Sequence, residues 1–160
     1  MRKTKIHSWA VSACFAFAAL AMPGPAAAQT RLNQEYAVKV LCGNMERASD
    51  RPLATGRYFT IVNIHNPHAA RVYFRRKVAQ AALRTPSPIS LWEQYALEYD
   101  EALGVTCSQI AKQAGADWVE GFLVIQASKP LDVVAVYATS GGNEYMTTFH
   151  TERVQPRLIE

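Results

Sequence analysis

Residues 118–139, WVEGFLVIQASKPLDVVAVYAT, decide the fold class. Trp118 to Ala127 and Leu131 to Thr139 are short runs rich in Val, Ile, Phe and Tyr, joined through Lys129-Pro130. Such residues suit a pleated surface, and Pro cannot donate to a ladder. Both faces of each run are apolar, which marks central strands.

Working outward, the short β-rich runs continue, several of them with period-2 alternation. Glu35 to Cys42 alternates, with Tyr36, Val38, Val40 and Cys42 on one face. Arg57 to His65 places Tyr58, Thr60, Val62 and Ile64 together and ends at Asn66-Pro67. Arg71 to Ala79 sets Val72 and Phe74 opposite Arg71, Tyr73 and Arg75. Leu91 to Tyr99 reads as a strand, although Glu93 to Leu97 also suits a short helix. Leu103 to Cys107 reads as a strand. Ser108 is placed to cap a brief helix over Gln109 to Ala114, stopped by Gly115. Ser140-Gly141-Gly142-Asn143 signals a hairpin turn before a last strand from Glu144 to Val154. Seven or eight strands with at most one short helix predict an all-β, antiparallel two-sheet sandwich. Immunoglobulin-like topology is the first expectation, with a jelly roll or small barrel as alternatives.

The first 28 residues read as a secretory signal peptide. Arg2, Lys3 and Lys5 precede an apolar run from Trp9 to Met22, and Ala26-Ala27-Ala28 offers a cleavage site before Gln29. Export to the periplasm or the cell exterior is expected, with residues 29–160 as one domain. Removing the leader takes away three of the 17 Lys/Arg and none of the 13 Asp/Glu, so the net charge falls from +4 to about +1. A near-neutral chain lacks the electrostatic footprint of a nucleic-acid binder. No later stretch approaches the roughly 20 apolar residues of a membrane span.

Cys14 lies in the leader, which leaves Cys42 and Cys107 as the cysteines of the mature chain. In an oxidising compartment two cysteines have one pairing, and a structural Cys42–Cys107 disulfide is expected. Closing a loop of that length is worth roughly 4 kcal/mol by the chain-entropy estimate.

Tyr36-Ala37-Val38-Lys39-Val40-Leu41-Cys42-Gly43, Asn63-Ile64-His65-Asn66-Pro67, Glu120-Gly121-Phe122-Leu123-Val124-Ile125 and Leu131-Asp132-Val133-Val134-Ala135-Val136-Tyr137 form a pattern. It resembles a group of small exported bacterial β-sandwich proteins of unknown function. The resemblance spans Tyr36 to Val154, except for Ala81 to Tyr95. It implies export and a single sandwich domain, and it carries no catalytic site.

Three clusters offer chemistry. His65 and His68 flank one turn, and with His150 they form a candidate site for zinc or copper. The plainer reading makes Asn66-Pro67 a turn with histidines bonded locally. Arg75, Arg76 and Lys77 make a basic stripe, with edge-strand protection as the plainer role. Trp92 and Tyr95 follow a Pro-rich loop and, with Arg75 and Lys77, form a candidate binding surface. Glu93, Glu98, Asp100 and Glu101 are an acidic neighbourhood with no sign of a cleft. Nucleophile-elbow, phosphate-loop, dinucleotide and metalloprotease motifs are absent. The expectation is a non-enzymatic, cofactor-free protein that binds an envelope or extracellular protein partner. The alternatives are a carbohydrate-binding module and an envelope metal-binding protein.

Overall fold

A computed structural model describes residues 31–46, 53–82, 84–141 and 146–160. The signal-peptide reading and residues 142–143 of the expected turn lie outside the described residues. Those residues form nine strands and one helix: β1 (Gln34–Met45), β2 (Gly56–His65), β3 (Val72–Gln80), β4 (Glu93–Leu97), β5 (Ala102–Val105), α1 (Cys107–Ala114), β6 (Val119–Ala127), β7 (Asp132–Ser140), β8 (Met146–Val154) and β9 (Arg157–Leu158). Every pairing is antiparallel. The all-β, antiparallel class therefore holds.

Hydrogen bonding joins the strands in the order β4-β3-β6-β1-β2-β7-β8, with β5 on β2 and β9 on β1. The two apolar runs are both interior, β6 between β3 and β1 and β7 between β2 and β8. Strand β1 serves two ladders. Residues Gln34 to Cys42 pair with β6, whereas Gly43 to Met45 pair with β2. The change of partner falls at Gly43, where φ is +116° and a Cβ would lie 2.3 Å from the Asp117 carbonyl oxygen. Glycine alone fits that backbone and that approach.

The inward residues of both ladders make one core. Tyr36, Val38 and Val40 of β1 meet Phe74 of β3, Leu123 and Ile125 of β6, Val62 and Ile64 of β2, and Val133 of β7. The Tyr36 hydroxyl lies in this core, donating to the Leu131 carbonyl at 2.9 Å and accepting the Leu131 N–H at 2.6 Å. Burial of the ring is thereby compatible with its polar atom.

Several boundaries differ from the sequence reading, and β4 runs from Glu93 to Leu97 rather than from Leu91 to Tyr99. The strand expected from Leu103 to Cys107 stops at Val105, and Cys107 is instead the first residue of α1. Thr106, not Ser108, is the N-cap. Its backbone N–H donates to the Gln109 side chain at 2.8 Å, the reciprocal bond of a Thr-x-x-Gln capping box. Gly115 ends the helix in the left-handed conformation, as expected.

The Cys42–Cys107 disulfide is present, with Cα atoms 5.3 Å apart. It ties β1 to the start of α1.

Candidate functional site

Strand alternation sends Arg75 and Lys77 to the outer face of β3 and Arg76 to the inner face. Strand β3 lies between β4 and β6, so the basic stripe does not protect an edge. Arg76 is 4% exposed and bonds Glu93 of β4 at 2.9 Å, with its guanidinium over the Tyr95 ring.

On the outer face the register aligns Gln94, Arg75, Gln126, Glu35 and Arg157 in one row across β4, β3, β6, β1 and β9. Arg75 donates to the Gln126 oxygen through Nε and Nη2 at 2.9 and 2.7 Å. Gln126 donates to Glu35 at 2.7 Å. Glu35 also accepts from Arg157 Nε at 2.9 Å. Burial pushes the Glu35 carboxyl up, but its bonds from Gln126 and Arg157 outweigh this and hold it below the ordinary value. The row is a chain of charge-assisted bonds that fixes Arg75 on the sheet.

Trp92 reaches this face from the segment before β4. That segment follows β3: Ile89 bridges to Ala79, and the Ser90 N–H donates to the Val78 carbonyl at 2.9 Å. The Trp92 ring then lies 4.3 Å from the Arg75 guanidinium and 4.5 Å from Lys77 Nζ. Two cations against one indole make a stiff aromatic–cationic patch. Lys77 pairs with no carboxylate among the described residues. Nearby, Phe122 is 42% exposed, with Lys39 Nζ 5.7 Å from its ring.

The structure thus brings together Trp92, Arg75 and Lys77 but places Tyr95 elsewhere. Tyr95 is paired with Phe74 in the β3–β4 ladder, which turns its ring to the inner face. There it stacks on Phe74 at 5.3 Å and donates to Glu93 at 2.6 Å.

The three histidines do not converge. His65 Nε2 is 2.9 Å from Asp100, and its Nδ1 is 3.4 Å from Asp132. His68 Nε2 donates to the Pro130 carbonyl at 2.7 Å. His150 stacks on Tyr137. His65 is opposite Asp132 on β7 and His150 opposite Tyr137, five residues further along, or roughly 16 Å of strand. Among the described residues no three metal-binding side chains cluster. The acidic neighbourhood is also dispersed into pairs: Glu93 with Arg76, Glu98 with Arg71, and Asp100 with His65.

The bonds to Asp100 and then Asp132 raise the His65 pKa. Protonated His65 therefore stabilises the fold fully below its unfolded value near 6.5, and the contribution is lost as pH rises through the raised folded value. In His65→Gln, the deficit in melting temperature relative to wild type is expected to be largest below about pH 6 and to shrink in alkali. A deficit independent of pH in a melting series would contradict this assignment.

No family model matches the chain, and no curated protein matches it. One solved structure does. It is the crystal structure of Thermotoga maritima 1070, with a TM-score of 0.54 at 9% identity, covering 79% of this chain and 95% of that one. At that identity the two proteins share a fold. No helix among the described residues is long and apolar enough to cross a membrane.

Sequence reasoning missed Glu35, Gln126 and Arg157 as partners of Arg75. Each stands at an outward position of an alternating strand, but only the cross-strand register joins them.

Proposed function

We propose that the protein is an exported, non-enzymatic binding module whose outer β3–β6–β1 face engages another protein of the cell envelope or exterior. In this reading the two ladders are the sheets of an immunoglobulin-like sandwich, and no cofactor takes part. The observation that carries it is Trp92 held against Arg75 and Lys77. Trp and Arg dominate binding energy at protein interfaces, and anchors fixed before contact lose less entropy on binding. Arg75 is locked by Gln126, and both cations lie against the indole.

A carbohydrate ligand is the second reading. It is favoured by the amide and carboxylate groups of the Gln126–Glu35 row beside an aromatic ring, which match sugar hydroxyls and a sugar face.

In-cell crosslinking followed by affinity capture distinguishes these. A protein partner captured with wild type is expected to fall at least about tenfold with Trp92→Ala or Lys77→Ala, the loss of a typical anchor. Unchanged capture by both folded variants would sink the proposal. Binding on a glycan array that Trp92→Ala abolishes, with no captured protein, would transfer the face to the second reading.

A further inference from the structure

The disulfide stands where an exchange reaction has what it needs. Cys107 is the first residue of the eight-residue helix α1, so its sulfur sits at the positive end of the helix. The Thr60 N–H, in a stretch of β2 between its β1 and β5 pairings, donates to Cys107 Sγ at 3.0 Å. The carbonyl oxygens of Leu41 and Tyr58 are farther from that sulfur, at 3.7 and 4.0 Å. Helix N-termini and N–H donors stabilise a thiolate.

The two sulfurs are unequal. Cys42 is 1% exposed, whereas Cys107 is half-buried. Both line a cavity of about 520 Å³ with apolar walls from Phe59, Ile61, Ala111 and Ala138. Arg57 and Asp117 are its charged lining residues. That volume lies within the range that holds a small ligand, and it suits a short side-chain segment of a partner.

We infer that Cys42–Cys107 is a thiol–disulfide exchange site for an exported dithiol protein, with Cys107 as the sulfur that partners attack. A partner thiolate attacks Cys107 Sγ, forming a mixed disulfide and releasing Cys42 as a thiolate that takes up a proton. The second partner thiolate then attacks the partner's own sulfur in that mixed disulfide. Cys107 leaves as the thiolate that Thr60 and the helix N-terminus stabilise. The partner's two thiols give up two electrons and two protons and become a disulfide, while Cys42 and Cys107 become thiols. This activity goes beyond the binding reading and uses a different part of the molecule from the Trp92 face.

The test uses the oxidised wild-type protein with excess reduced glutathione at neutral pH and no denaturant. Samples are quenched by acid and alkylation for peptide mass spectrometry, with circular dichroism followed in parallel. The bridge is expected to open while the spectrum stays native, with glutathione on Cys107 at least about tenfold more than on Cys42. A bridge that opens only when the spectrum is lost, or adducts shared equally or favouring Cys42, would overturn the inference. In Cys42→Ala, whose only mature thiol is Cys107, glutathione disulfide should react faster than with a free cysteine peptide. A slower reaction would count equally against it.

Discussion

Asn66→Ala is expected to lower stability by about 4 kcal/mol and the melting temperature by more than about 10 °C. Asn66 is fully buried, and its polar groups are all occupied. The side-chain amide reaches the carbonyls of Ala70, Leu97 and Glu98 at 2.9, 3.0 and 2.8 Å. Its oxygen accepts the His68 N–H at 3.0 Å. The backbone adds bonds to Glu101 and from Asp100, both at 3.0 Å. One side chain thus joins the exit of β2 to the β4–β5 turn. Alanine removes four side-chain contacts and strands buried partners, and each stranded group costs about 1–3 kcal/mol. Asn66→Asp should fare no better, because a carboxylate cannot donate to the three carbonyls. Chemical denaturation of the three proteins checks this. An alanine variant within about 1 kcal/mol of wild type would remove Asn66 from the centre of the fold.

The second large effect is an asymmetry within the Arg76–Glu93 pair. Glu93→Ala is expected to cost about 3 kcal/mol, because it leaves the 4% exposed Arg76 without its carboxylate. Arg76 Nη1 already has no hydrogen-bond partner. Arg76→Met should cost no more than about 1 kcal/mol, since an unbranched apolar chain fits the inner face. Glu93, with its side chain 43% exposed, is then left to solvent and Tyr95. The pH dependence has a definite sign. The Tyr95 hydroxyl bond lowers the Glu93 pKa, and the Arg76 bond adds to this against the opposing effect of burial. The advantage of wild type over Glu93→Gln is present above the unfolded carboxylate value near 4.3 and disappears as pH falls through the lower folded value. Denaturant midpoints from pH 7 to pH 3 measure both claims. Equal losses in Glu93→Ala and Arg76→Met would show that the charge on Arg76 is not the cause.

Local chemistry made most of the strands legible. Period-2 alternation marks β1, β2 and β3, continuous β-branched apolar runs mark β6 and β7, and Asn66-Pro67 marks the end of β2 because those residue types bend and terminate a ladder. The Thr106–Gln109 capping box is a local signal that the expectation of a Ser108 cap overlooks, because the alternation of Leu103 and Val105 favours a strand running on to Cys107. The site was legible only in part. Alternation puts Arg75 and Lys77 on one face, but Trp92 comes beside them through the path of residues 89–92 along β3, which no local signal encodes. Pairing with Phe74 turns Tyr95 inward, and that register is not encoded locally. Sequence gives no distance along β7, so it cannot separate His150 from His65 and His68.

The Trp92 face is proposed as the surface that binds the partner. Placing a photo-crosslinking amino acid at the exposed Gln94, which lies opposite Arg75 and leaves Trp92 in place, and in a second protein at the 62% exposed Phe149 of β8, tests this in living cells. One reproducible adduct is expected from position 94 and none of the same mass from position 149. An adduct from position 149 alone would contradict it.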